Sequence, residues 1–213
     1  MFELTIDDEI TVRTLHPDDT QAFFALLERN RARLRPWVHP SSLPETAQAA
    51  RRYCIECYLW SLDPLTAIET PYIEEVIPYF PPFDPTLEMG IWFRGELAGH
   101  VGLMISGKRE EAAEFGYWIT DENVGKGIVT RCVRGLMDHA IEHLKIERFS
   151  IRCAVSNRRS RAIPERLGYR LEAILPDGEV IGEFVYDRVI YEISAAEWHE
   201  HRQAKGQEPG TTP

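Results

Sequence analysis

Two rhythms of apolar and polar residues run along this chain, and the switches between them mark its elements. Ile128, Val129, Cys132, Val133, Leu136, Met137, Ala140, Ile141 and Leu144 recur at helical spacing, while Arg131, Arg134, Asp138, Glu142 and His143 fill the other face. This predicts an amphipathic helix over 126–144. Before it, Ala113 to Ile119 is aromatic, β-branched and free of proline, and predicts a strand over 111–119. After it, Arg148 to Val155 alternates apolar with polar, which predicts a buried strand over 148–155. The order strand, loop, helix, strand implies that the two strands run parallel.

The same reading predicts strands at 10–15, 88–94, 97–106, 170–175 and 180–193, and helices at 18–32, 45–62 and 158–167. Arg94-Gly95-Glu96 and Asp177-Gly178 have the composition of hairpin turns. The layout is α/β, a mixed sheet with helices on both faces. Ser194 and Glu197 form a capping box that starts a polar terminal helix, and disorder is expected from about Arg202. One domain is expected over 1–201, with 202–213 as a disordered tail. The stretch 63–87 breaks this pattern: Pro64, Pro71, Pro78, Pro81, Pro82 and Pro85 alternate with Tyr72, Tyr79, Phe80 and Phe83. Prolines exclude a long helix or a central strand there, so it reads as an ordered lid, a partner-facing arm or a packed surface loop.

Chemistry concentrates where the strand ending at Ile119 meets the long helix. Asp121-Glu122-Asn123-Val124-Gly125-Lys126-Gly127-Ile128-Val129-Thr130 carries two glycines at the helix entrance. Such an entrance aims unpaired backbone N–H groups and a positive helix end at one point, and glycine lets a bulky anion approach. A pyrophosphate held by the N–H groups of Gly125 to Thr130, with Lys126 beside it, is the expected ligand. A Walker-type Gly-x-x-x-x-Gly-Lys-Ser/Thr and a complete Gly-x-Gly-x-x-Gly are both missing from the sequence, which disfavours a nucleotide triphosphatase or a nicotinamide enzyme.

Composition narrows the partners. The chain has 213 residues, a formal charge of −10 and 44% hydrophobic residues. That length allows one domain with a full core. The negative charge disfavours nucleic acid and anionic membranes and suits a cationic acceptor. No apolar run reaches a membrane span and no signal core opens the chain, so a cytoplasmic location is expected. Cys54-x-x-Cys57 lacks a second pair and lies in a helical stretch, and His199-Glu200-His201 lies in the polar terminal helix. Both read as structural, and no metal site is expected. The sequence leaves the oligomeric state open, a homo-oligomer included.

A second motif, Asn157-Arg158-Arg159-Ser160 followed by Ala162-Ile163-Pro164-Glu165-Arg166-Leu167-Gly168-Tyr169, follows the second strand. Together with the glycine loop it resembles motifs A and B of the GCN5-related N-acetyltransferases (GNAT), in particular the RimJ/RimL branch that acetylates ribosomal-protein N-termini. Leu34-Arg35-Pro36-Trp37, Leu171-Glu172-Ala173 and Tyr186-Asp187-Arg188-Val189-Ile190-Tyr191 are also similar to that branch, so the likeness spans about residues 10–193. It departs at Val124 and Val129, where the family's loop carries a polar and a small residue. A non-catalytic acyl-CoA-binding module is therefore an alternative.

The resemblance implies a mixed, mostly antiparallel central sheet flanked by helices, with a splayed parallel strand pair that takes the pantetheine of acetyl-CoA. It implies transfer of an acetyl group to a primary amine, a protein N-terminus or a small cationic amine such as a polyamine or aminoglycoside. A lysine amine is neutral in roughly one molecule in two thousand at pH 7, an α-amine in about one in ten, so a general base is needed. By their match to the family, Ser160 is the candidate donor to the leaving thiolate and Asn157 the residue that fixes cofactor or water. Asn157 is also a good helix cap. Glu179 is the candidate base and Glu114 its rival. An N–H near Trp118 or Ile119 would hold the oxyanion. Lys126, Arg131 and Arg158 are candidate phosphate contacts.

Overall fold

The computed structural model describes residues 1–62, 70–72, 75, 86–106 and 111–206. Among them one sheet has the strand order β1-β2-β3-β4-β5-β6-β8-β7. Its strands are β1 Glu3–Thr5, β2 Ile10–Thr14, β3 Thr86–Phe93, β4 Glu96–Ser106, β5 Ala112–Ile119, β6 Arg148–Ala154, β7 Arg170–Ile181 and β8 Phe184–Ser194. The helices are α1 Thr20–Leu34, α2 Ala47–Trp60, α3 Ile128–His139, α4 Arg158–Leu167 and α5 Ala195–Gly206. All neighbouring strands pair antiparallel except β5 and β6, which are parallel.

Alternation along the strands assigns each face of the sheet its own core. Val12, Met89, Ile91, Val101, Leu103 and Phe115 pack with Ile128, Cys132, Val133 and Leu136 of α3. Trp118 turns to the other face and joins Leu15, Phe23, Leu26 and Leu27 with Cys54 and Cys57 of α2. All four cysteines are free and buried. Helices thus cover both faces, as the period-two and period-3.6 patterns require.

The parallel pair comes apart after three residues. Ala112, Ala113 and Glu114 pair with Arg148, Phe149 and Ser150, and there the pairing stops. Beyond it β5 stays with β4 as far as Ile119, and β6 stays with β8 as far as Ala154. Each strand keeps its outer neighbour while the inner edges diverge, so a wedge opens between their C-terminal ends. This is the splay that the resemblance implied.

Several expectations are corrected. Strand β1 was not expected, because three residues carry too little pattern to register. The long helix ends at His139 and continues as a π-helical turn over Ala140–Leu144. The wider turn breaks the 3.6 period, leaving Leu144 exposed while Ile146 enters the core. Asp177-Gly178 does not reverse the chain. It forms a bulge inside β7, where register shifts between Leu175 and Glu179 and Asp187 accepts a bond from the Asp177 N–H at 3.1 Å. The reversal falls at Gly182-Glu183, with Ile181 facing Phe184 and Gly182 at φ 58°, the first position of a two-residue turn that favours glycine. Arg94 and Gly95, at φ 54° and 83°, do form the expected turn. Arg202, expected to open a disordered tail, belongs to α5 and pairs with Asp138 at 3.0 Å. Most of the Pro/aromatic stretch 63–87 lies outside the described residues, as do 207–213. The capping box forms as expected, with Ser194 N–H and Glu197 N–H bonded to the Glu197 and Ser194 side chains at 2.8 and 3.2 Å.

Candidate active site

One continuous cleft of about 900 Å³ runs from the entrance of α3, through the wedge between β5 and β6, to the sheet face beneath the end of α1. Gly127 caps α3 in the left-handed region at φ 71°, and Gly125 stands at φ 81°. A Cβ at either glycine would enter open space, so positive φ, not crowding, selects glycine here. No side chain caps α3, and its first intrahelical bond within the turn is Arg131 N–H to Gly127 C=O at 3.0 Å. The N–H groups of Ile128, Val129 and Thr130 thus point out of the helix start without partners in the helix. Gly125, Gly127, Ile128, Val129 and Thr130 all line the cleft.

The charges predicted around this loop are redistributed. Lys126 is not part of the cleft wall: its ammonium donates to Asn123 Oδ1 at 2.9 Å and sits 5.4 Å from the Phe93 ring. Arg131 lines the cleft and pairs with Asp7 and Glu9 at 3.0 and 3.1 Å. Arg158, like Lys126, lies outside the wall, and Arg159 and Arg166, which the motif reading passed over, line it. Arg166 donates to Thr130 Oγ1 at 3.0 Å, which ties α4 to the first turn of α3. Val129 is buried and packs into the α3 core while its backbone faces the cleft, and Val124 forms part of the wall.

Along β5 the backbone has two sides. Thr120 N–H donates to Ala98 C=O at 2.9 Å on the β4 side. Ile119 C=O accepts from Arg33 Nη2 and therefore faces away from β4. Period-two alternation then commits the Trp118 backbone to β4 and turns the N–H groups of Ile119 and Tyr117 towards the wedge. Of the two expected oxyanion donors, Ile119 is the one aimed at the cleft. The Trp118 ring stacks near His100 in the apolar cluster beneath α1.

Across the wedge, α4 begins at Asn157, whose Oδ1 accepts the Ser160 N–H at 3.1 Å. The capping role of Asn157 is thus realised, and both Asn157 and Ser160 line the cleft. Ser160 Oγ donates to Tyr117 Oη at 3.4 Å, and Tyr117 Oη donates to Ser160 C=O at 3.1 Å. Burial pushes the Tyr117 phenol well above its ordinary range, so it stays protonated. Cys153, also in the wall, is pushed up to about 11 by burial, against the pull of a bond to Ser160. It remains a thiol and a poor nucleophile at neutral pH.

The two candidate bases share one end of the cleft. Glu179 accepts from Arg188 Nε at 2.6 Å, and Glu114 pairs with Arg152 at 3.2 Å across the point where β5 and β6 part. Burial raises Glu114 above the ordinary carboxylate range, with nearby Arg152 and Arg188 opposing and Glu179 adding to the rise. The bulge at Asp177-Gly178 turns Glu179 from an expected hairpin flank into a strand residue facing the site.

An uncapped helix entrance, a split parallel pair and an acidic far end are the parts of an acyl-CoA-dependent acyltransferase, and sequence comparison decides the family. Residues 9–170 match the family model of the acetyltransferase (GNAT) domain. The chain belongs to the GNAT acetyltransferases. It is 31% identical over 198 residues to the "Putative ribosomal N-acetyltransferase YdaF" of Bacillus subtilis, covering 93% of this chain and 98% of that protein. It is 30% identical over 99 residues to the ribosomal-protein-serine acetyltransferase of Escherichia coli, covering 46% of this chain and 55% of that protein. The solved structure of RimL, a ribosomal L7/L12 α-N-protein acetyltransferase in complex with coenzyme A, superposes with a TM-score of 0.73 at 21% identity, over 91% of this chain and 98% of that one.

This GNAT enzyme is an N-acetyltransferase, and its acetyl donor is acetyl-CoA. The structure fits that donor. The loop has open space above two positive-φ glycines, the helix start offers free N–H groups, and the wedge leaves the inner edge of β5 unpaired.

The sequence reading missed two groups at the end of the cleft away from the glycine loop. His100 and Glu88 line the cleft, with His100 Nε2 3.1 Å from Glu88 Oε2 and 3.2 Å from Tyr53 Oη. His100 is 5% exposed. Glu88 reaches it by lying over Gly102, its cross-strand partner, where a Cβ would stand 2.7 Å from the carboxylate. A Glu and a His separated by a hairpin signal no pair in sequence. The strand register, Glu88 facing Gly102, was the signal available.

Proposed function

We propose that this enzyme acetylates the α-amine of a protein N-terminus, in the cytoplasm. The observation that carries the reading is the cleft itself, which leads from an anion-binding helix entrance to an end lined by Glu88, Glu114 and Glu179. Its donor end suits phosphates and its acceptor end suits an ammonium group. The relatives named for ribosomal proteins support a protein acceptor.

In this reading the backbone N–H groups of Gly125 to Thr130 hold the pyrophosphate, with Arg159 and Arg166 at the rim. The inner edge of β5 orients the pantetheine, and Ile119 N–H stabilises the carbonyl oxygen as it gains charge. Glu114 takes the proton that the acceptor amine sheds, because a carboxylate raised by burial is better matched to neutral pH than an ordinary one. Glu179, fixed by Arg188, orients the amine. Ser160 donates its hydroxyl hydrogen to the sulfur as the carbon–sulfur bond breaks, and its oxygen regains a proton from solvent. Holding both reactants in line supplies much of the acceleration without a covalent enzyme intermediate.

Thiol release from acetyl-CoA with peptides, polyamines and aminoglycosides as acceptors tests the assignment. Peptides with free α-amines should react fastest, and N-terminally blocked peptides should not react. Turnover confined to polyamines or aminoglycosides would refute a protein acceptor.

A further inference from the structure

We infer that Tyr117 is a positioning residue for Ser160, tethering the first turn of α4 to β5 through a carbonyl that Pro164 leaves free. The inference rests on the reading of Ser160 as the donor to the leaving sulfur.

In an α-helix each carbonyl accepts the N–H four residues on. For Ser160 that residue is Pro164, which has no N–H and lies inside α4. The Ser160 carbonyl is therefore without its helical partner, and Tyr117 Oη fills the place at 3.1 Å. Pro164 is itself buried, so its ring also packs the turn that it deprives of a bond.

The location gives this bond its consequence. Sheet pairing between the two walls of the wedge ends at Glu114 and Ser150, yet Tyr117 lies three residues further along β5. Tyr117 reaches across the opening to α4, on the wall that carries Ser160. The bond ties the turn that carries Ser160 to β5 beside the wedge, two residues before Ile119.

The phenol also orients the serine hydroxyl. It has one hydrogen and gives it to the carbonyl, so the side of Oη that meets Ser160 Oγ, at 3.4 Å, can only accept. Ser160 Oγ therefore turns its hydrogen towards Oη, and this bond fixes the hydroxyl oxygen on the wall of the cleft that Ser160 lines. Because burial keeps the phenol protonated, the arrangement holds across the range in which the amine reacts. Phenylalanine fills the same space and loses both interactions.

The test is a set of single variants and a double-mutant cycle on the full chain, read by thiol release from acetyl-CoA and by calorimetric acetyl-CoA binding. Y117F should lower kcat about 10-fold while acetyl-CoA affinity stays within about twofold and the melting temperature holds. P164A restores an N–H that competes for the Ser160 carbonyl, and should lower kcat about threefold with Tyr117 still in place. In the P164A background, Y117F should cost no more than about threefold further, because part of the tether is already gone. In an S160A background it should cost nothing further. A slow S160A beside a Y117F of unchanged kcat would overturn the positioning role and leave Ser160 as donor. An S160A as fast as the unaltered enzyme would remove the Ser160 reading itself. Parallel losses in kcat and acetyl-CoA affinity for Y117F would show cleft packing instead of positioning, and so overturn the inference.

Discussion

Arg188 on β8 donates to Glu179 on β7 at 2.6 Å, so one carboxylate oxygen of Glu179 is fixed by its neighbour strand. Glu179 also lines the cleft. Glu114, on β5, meets Arg152 at a looser 3.2 Å, and burial raises its carboxyl from its ordinary value. The proposed mechanism gives the two acids different roles: the clamped Glu179 orients the amine, and Glu114, whose proton affinity burial raises, accepts the proton.

For Glu114 the expected outcome concerns pH. The group works as a base only when deprotonated, so the rate falls as pH drops through its raised pKa, and the acidic limb lies above the range of a free glutamate. Glu114→Gln should remove that limb and cut kcat by about 100-fold. Glu179→Gln should keep the limb and raise acceptor KM. Profiles of kcat/KM against pH for both variants check the division, and loss of the limb in Glu179→Gln alone would reverse it.

Gly127→Asp should abolish acetyl-CoA binding with the fold intact. It puts negative charge at a helix start that otherwise attracts anions, and it forces a side chain to adopt φ 71°. Gly127→Ala bears only the backbone strain, of about 1 kcal/mol, and should bind more weakly by about 10-fold or less. Calorimetric titration separates the two contributions. Equal affinity in Gly127→Asp and the unaltered enzyme would place the pyrophosphate elsewhere.

The helix α3, the parallel pair and the glycine loop were legible because each follows from a repeat in the sequence that physics ties to one geometry. Ile128 to Met137 can bury one face only as a helix, and Arg148 to Ala154 only as a strand. What failed depended on partners distant in the chain. Asp177-Gly178 has the composition of a turn, yet Arg188 and Asp187 across the ribbon turn it into a bulge. Glu88 and His100 meet only because β3 and β4 pair in one register. Tyr117 and Ser160 meet because a proline vacates a carbonyl 43 residues away in sequence.

Asp19 links stability to pH. Burial would raise its pKa, but bonds from Arg13 at 2.7 and 2.9 Å and from the His16 N–H at 2.8 Å outweigh burial and hold it below its ordinary value of 3.8. A depressed acid stabilises the fold above its unfolded pKa, and that contribution fades as pH falls through the folded value. Asp19→Asn should therefore cost about 1 kcal/mol at pH 7, after allowance for partial exposure, and much less at an acid pH below its depressed folded value. Urea unfolding at the two pH values checks the sign. An undiminished cost at the lower pH would mean that the loss comes from packing at the start of α1.

Gly102→Ala tests the acceptor end without touching an ionisable group. The added methyl would stand 2.7 Å from Glu88 Oε2, the far end of a flexible side chain, so the carboxylate would move and the strand would stay. Moving it separates Glu88 from His100, now 3.1 Å apart. Gly102 and Gly116 face each other across β4 and β5 and both line the cleft, so the same methyl also narrows a floor of two glycines leading towards the wedge. Acceptor KM should rise by about 10-fold, with acetyl-CoA affinity preserved because the phosphate loop lies at the other end. Glu88→Gln keeps the floor open and removes only the charge. If it reproduces the Gly102→Ala effect, the carboxylate recognises the acceptor ammonium. Should Glu88→Gln be silent while Gly102→Ala is impaired, the acceptor is read by the shape of the floor. If both variants keep the KM of the unaltered enzyme, the amine does not enter by this end of the cleft.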